Sequence, residues 1–255
     1  MDNKLRTALI NNELSLGTWL QIGHPAIAEI LANVGYDWIC VDMEHGTIDL
    51  ESMTHVFRAI EANGSVPVVR LPKNDPIWIS RSLDAGAMGL IIPMVNSVEE
   101  IEHVIRCAKY PPRGERGYGY SRANMYGMKF EEYIKSANNE IAIIAQIEHK
   151  NGIENLDAIM QVPDLDAVFI GPLDLSGSYG KTGQLDCPEM RDALKRYLDA
   201  CKKHGKCAGT HIVRPDDDSV KRAIKQGYRL IALGVDGVFL DMASGSAIHT
   251  ARNYT

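Results

Sequence analysis

Two carboxylates in this chain, Glu148 and Asp174, stand where short apolar runs give out. AIIAQIE ends on the first, and AVFIGPLD carries the second just past its end. If these runs are parallel strands joined by the helix-like stretch GIENLDAIMQV, both acids emerge side by side on one rim of a sheet. Oxygen-only ligands suit a hard divalent cation, Mg2+ or Mn2+ with Co2+ also in range. Two protein ligands leave positions open for water or a chelating substrate. Taken singly, either acid more often caps a helix or ends a strand, so the pairing carries the reading.

The same inspection of run ends adds further polar groups. Asp42, Glu44 and His45 follow DWICVD, Arg70 follows VPVV, Gln146 precedes Glu148, and Gly171-Pro172-Leu173 precedes Asp174. A guanidinium is rarely buried without an anion, so Arg70 pairs either with Asp42 or Glu44 or with a substrate carboxylate or developing oxyanion. His45 taken alone reads as an ordinary loop histidine, although its type titrates near neutrality. Asp84 closes a helical segment, where the dipole does not favour an acid; spacing does not single it out.

Positioning these groups on one rim requires a particular scaffold. Eight β-like runs occur: LGTWLQI, DWICVD, VPVVRL, GLIIP, IAIIAQIE, AVFIGP, CAGTHIV and YRLIALGVD. Between most of them lie segments with helical apolar spacing, such as PAIAEILANV, MTHVFRAIEAN, VEEIEHVIRCA and MRDALKRYLDACKKHG. Such alternation predicts a parallel sheet, and eight repeats in 255 residues predict an α/β fold of the (β/α)8 TIM-barrel type, one domain over residues 1–255. Asn74-Asp75-Pro76 and Arg214-Pro215-Asp216 supply helix-start signals. One connection breaks the pattern: about 109–139, rich in Gly, Tyr and Arg, reads as an inserted active-site loop able to fold over a ligand.

Composition narrows the function classes. Apolar residues make up 45% and charged residues 24%, with a formal charge of −6. That balance fits a globular protein and argues against nucleic acid or an anionic membrane as partner. No apolar run reaches membrane-spanning length and the first residues lack a signal-peptide pattern, so the chain reads as cytoplasmic. The five cysteines form no C-x-x-C pair, suggesting neither a disulfide framework nor structural zinc; Cys40 reads as a buried thiol.

Taken together, GTWLQIGHPAIAEILANVGYDWICVDMEHG, VPVVRLP, LDAGAMGLIIPMVNS, RGYGYSRA, AQIEHKNGIENLDAI and VFIGPLDLSGSYG resemble the HpcH/HpaI family of metal-dependent pyruvate aldolases, in order from about Leu16 to Asp241. The resemblance implies a (β/α)8 barrel, commonly a homohexamer, that reversibly cleaves a 4-hydroxy-2-oxo acid, sugar-derived or dicarboxylic, to pyruvate and an aldehyde. It implies Glu148 and Asp174 as metal ligands; Gln146 and the backbone around Gly171, Pro172 and Leu173 as the pyruvate site; Arg70 as the enolate stabiliser; and His45, its basicity raised by Asp84, as the acid/base. Two departures stand out: bulky Leu173 where many members have a small residue, and Thr210-His211-Ile212 in place of an apolar segment. His211 either meets a hydroxylated or acidic aldehyde or makes no substrate contact. The alternatives are a related lyase of the citrate-lyase β or phosphoenolpyruvate-mutase type and a non-catalytic 2-oxo-acid-binding barrel. A Schiff-base mechanism is disfavoured, because no lysine lies within an apolar run that would desolvate it.

Overall fold

The structure is a computed structural model that describes residues 3–254. Among these, eight strands form a closed, all-parallel barrel: β1 Ser15–Leu20, β2 Trp38–Asp42, β3 Val66–Arg70, β4 Gly89–Ile92, β5 Ala142–Ile147, β6 Ala167–Ile170, β7 Cys207–Ile212 and β8 Leu230–Val235. Each pairs with its sequence neighbour, and β8 closes on β1. The closed α/β barrel expected from the eight runs is therefore the architecture found. The strands are apolar on both faces because helices cover the outside and side chains fill the inside.

Alternation along the strands divides the apolar residues into two sets. Ile39, Val41, Val69, Ile143, Ala145, Val168, Ile170 and Ala208 belong to the layer between barrel and helices. Trp38, Cys40, Val66, Val68, Ala142, Ile144, Ala167, Phe169 and Cys207 fill the interior. The interior is tightly packed. A Cβ on Gly17 would lie 2.1 Å from the ring of Trp38, so only glycine fits there. An N-terminal helix, Lys4–Ile10, inserts Leu5 and Leu9 into this interior set and stoppers the amino-terminal end; the apolar runs give no sign of it.

Helix boundaries follow local chemistry. Pro25–Val34 and Val98–Ala108 coincide with the apolar segments marked in the sequence, the second opened by a Ser97/Glu100 capping box. Asp75 caps the helix Pro76–Ala85 and Asp216 caps Asp217–Gln226. The stretch between Glu148 and β6 forms two short helices, Lys150–Glu154 and Leu156–Ile159. The final helix, Asp236–Arg252, buries only Asp236. No helix among the described residues is long and apolar enough to cross a membrane.

The long segment at about 109–139 is not a cover for the strand ends that carry the acids. It leads from the end of Val98–Ala108 to the start of β5, so it lies at the amino-terminal rim. It is tied down there: Arg122 bonds Glu61 and the Ala85 carbonyl at the ends of two helices, Arg113 pairs with Asp164, and buried Lys109 donates to the carbonyls of Asn138 and Ile141. The expectation of a lid over the chain's own site fails, because helix-to-strand connections return to the opposite end of a barrel from strand-to-helix ones.

Candidate active site

Period-two alternation delivers the polar groups to one place. Continuing inward from Trp38 and Cys40 reaches Asp42; from Val66 and Val68, Arg70; from Ala142 and Ile144, Gln146 and then Glu148; from Ala167 and Phe169, Gly171; from Cys207, Gly209 and then His211. These residues form the top layer of the interior at the carboxyl-terminal mouth.

Asp42 and Arg70 face each other in the β2–β3 register. Arg70 donates to Asp42 through Nε at 2.9 Å and Nη2 at 2.7 Å, a bidentate pair. Gln21 Nε2 adds a third bond at 2.8 Å, and the backbone N–H groups of Glu44 and His45 donate to Asp42 Oδ1. Burial alone would raise the Asp42 pKa, but the bonds from Arg70 and Gln21 outweigh it and hold the carboxyl below its usual range. The Arg70 guanidinium lies 4.4 Å over the Trp19 ring, and its Nη1 is 3.2 Å from Glu44 Oε2. Both carboxylates weighed as intrachain partners thus contact Arg70, and they aim it.

Glu148 is buried and its carboxyl is raised, first by burial; Gln146 and the Met94 N–H lower it, and Asp174 raises it further. Among the described residues it accepts two bonds, from Gln146 Nε2 at 2.6 Å and the Met94 N–H at 2.7 Å. Gln146 Oε1 is buried and has no hydrogen-bond partner among the described residues. A Cβ on Gly171 would sit 2.7 Å from Glu148 Oε2, so the glycine leaves the room this carboxylate occupies. Asp174 stands exposed in the first turn of the helix Pro172–Ser178, and the Leu173 side chain is 59% exposed. No group of three or more His, Cys, Asp or Glu side chains able to hold a metal occurs among the described residues. Glu148 and Asp174 could offer a cation carboxylate oxygens, and the unpartnered amide oxygen of Gln146 adds a neutral acceptor beside Glu148.

Charge decides what this mouth accepts. Asp42, Glu44, Glu148 and Asp174 gather around the guanidinium of Arg70. An anionic acid entering such a mouth is repelled unless a cation enters with it.

His45 is on the same rim, its side chain 62% exposed and its Nε2 4.0 Å from Glu44. Asp84 is not with it. Asp84 ends the helix Pro76–Ala85, at the opposite rim, and accepts a 2.8 Å bond from buried Arg116. Within this chain Asp84 therefore does not orient His45; Glu44 is the neighbouring carboxylate. Two residues to which the sequence assigned no role also shape the mouth. Trp19 is the platform beneath Arg70, and Asp236 accepts from the backbone N–H groups of Gln21 and Ile22, fixing the loop after β1. Period-two alternation in GTWLQI offered a signal for Trp19, and Asp236 closes the apolar run YRLIALGVD; its partner Gln21, 215 positions away, is what the sequence does not indicate.

Comparison with known proteins gives the family. The profile of the HpcH/HpaI aldolase/citrate lyase family matches residues 15–242. The chain belongs to this family. It is 36% identical over 239 residues to a 5-keto-4-deoxy-D-glucarate aldolase of Enterobacter sp. strain 638, covering 93% of this chain and 92% of the relative. A solved HpcH/HpaI aldolase/citrate lyase family protein from Burkholderia cenocepacia J2315 superposes with a TM-score of 0.93 at 35% identity, over 98% of this chain and 99% of that one. The HpcH/HpaI aldolase of Desulfitobacterium hafniense DCB-2 gives a TM-score of 0.89 at 31% identity, over 97% and 96%. The HpcH/HpaI barrel described here is accordingly a carbon–carbon lyase of the aldolase type.

Proposed function

We propose that this enzyme reversibly cleaves a 4-hydroxy-2-oxo acid, sugar-derived or dicarboxylic, to pyruvate and an aldehyde, with a divalent metal as cofactor. The observation that carries the reading is the excess of carboxylates at the mouth, with Glu148 buried, raised and short of donors. Glu148 and Asp174 would hold Mg2+, Mn2+ or Co2+, and Gln146 with the backbone at 171–173 would hold the pyruvate portion. The exposure of Leu173 supports use of its backbone rather than its side chain. When bound, the cation supplies a positive charge that offsets the negative charge developing on the 2-oxo oxygen, by several kcal/mol in comparable sites.

The remaining work falls to the chain's own groups. His45, exposed on the rim, accepts the proton of the 4-hydroxyl. The C3–C4 bond then breaks, C4 becomes the aldehyde carbonyl, and the electron pair passes into the pyruvate enolate. Arg70, held rigidly by Asp42 and stacked on Trp19, presents Nη1 as a fixed donor to that enolate, displacing Glu44. Protonation at C3 completes pyruvate. Exposed Leu240, Met242 and Ile248 on the last helix support assembly as a homo-oligomer, a hexamer by the family resemblance.

The test is release of pyruvate from 4-hydroxy-2-oxo acids. EDTA should abolish it and Mg2+, Mn2+ or Co2+ restore it. Borohydride trapping of a pyruvate adduct on a lysine would overturn the metal reading.

A further inference from the structure

His211 has no part in the reaction as set out, yet it is fixed in the barrel mouth. It is the last inward residue of β7, after Cys207 and Gly209, and lies opposite Ala232 in the β7–β8 register. Its ring is 5.8 Å from that of Trp19, the same ring on which Arg70 stacks at 4.4 Å. His211 Nε2 is 3.1 Å from the Gly234 carbonyl of β8. A carbonyl only accepts, so Nε2 carries the proton and Nδ1 holds a bare lone pair in the neutral ring. Nδ1 has no hydrogen-bond partner among the described residues, and the side chain is only partly buried.

The ring stays neutral. Burial lowers its pKa most, the Gly234 carbonyl opposes this, and the charge of Arg70 adds to the fall, leaving it at about 4. A neutral acceptor cannot attract a carboxylate, but it can accept from a hydroxyl.

Position decides which part of a substrate meets it. Glu148 and Asp174 belong to the ends of β5 and β6, and Arg70 to β3. His211 and Trp19, on β7 and β1, flank β8 on the side of the mouth whose strands carry none of the groups assigned to the 2-oxo acid, with Arg70 reaching over the Trp19 ring from β3. Resting on the aldolase reading above, we propose that His211 determines acceptor specificity: its Nδ1 accepts a hydrogen bond from a hydroxyl of the aldehyde fragment, selecting hydroxylated aldehydes over deoxygenated ones of equal length.

The experiment pairs glycolaldehyde with acetaldehyde, and glyceraldehyde with propanal, in pyruvate addition with Mg2+. The wild type should favour the hydroxylated member of each pair. His211→Leu should lower kcat/KM for that member about tenfold more than for its partner, the scale of one uncharged hydrogen bond. His211→Gln, whose amide oxygen can accept, should restore part of the preference, which a merely structural role would not do. Equal losses on both members, or a preference that survives in His211→Leu, would overturn the inference. Exchange of the C3 protons of pyruvate in D2O by the wild type, with no aldehyde present, tests the underlying reading separately. No exchange sinks that reading and this inference together, whereas exchange with unaltered discrimination in the variant sinks this inference alone.

Discussion

Replacing Gly171 by alanine tests the position of Glu148 without altering any charge. Gly171 has φ −105°, outside the left-handed region, so alanine carries no positive-φ strain there. The added methyl would lie 2.7 Å from Glu148 Oε2 and 2.8 Å from its Cβ, where ordinary contact begins at 3.4 Å. Glu148 must therefore give way by about 0.7 Å. Its room to do so is limited by bonds from Met94 and Gln146 and by its burial. Overpacking of this kind costs about 1–3 kcal/mol. If the displacement is expressed in metal binding, that energy weakens affinity by about 5-fold to 150-fold. Calorimetric titration with Mn2+ and turnover measured at several metal concentrations would read it: apparent Kd should rise, with activity partly recovered at high metal. Gly117→Ala is the control, since nothing lies within 4 Å of its Cβ position and it belongs to the segment at the other rim. Undiminished Mn2+ affinity in Gly171→Ala, with the protein folded, would refute Glu148 as a ligand in this geometry.

Two other perturbations follow from the same geometry. Arg70→Ala removes the fixed donor and leaves Asp42 buried without its bidentate partner; kcat should fall about a hundredfold or more, with Mn2+ affinity little changed, and equal turnover would contradict the enolate role. The pKa of His211 is depressed from 6.5 to about 4, so its contribution to stability is present above the unfolded value and lost as pH falls through that window. Urea midpoints should therefore drop more for the wild type than for His211→Gln between those pH values, and parallel curves would count against the buried neutral ring.

Strand positions and the rim acids were legible in the sequence because both are local patterns. A run covered on both faces must be apolar, as VPVV and AIIA are, and the polar residues that follow it, Arg70 or Gln146 and Glu148, mark the mouth. Helix limits at Pro25–Val34 and Val98–Ala108 were likewise written in apolar spacing and caps. Three matters were settled only by the tertiary structure. Partners distant in sequence cannot be chosen by spacing: Asp42 takes Arg70 and Gln21, and Asp236 fixes the loop after β1, because barrel closure brings β8 beside β1. The end of the barrel to which a segment belongs depends on whether it follows a strand or a helix. For that reason the segment at about 109–139, and with it the Asp84–Arg116 pair, lies at the rim opposite Glu148 within this chain's barrel. The tautomer and neutrality of His211 depend on one carbonyl of the next strand and on burial, and neither is encoded near residue 211.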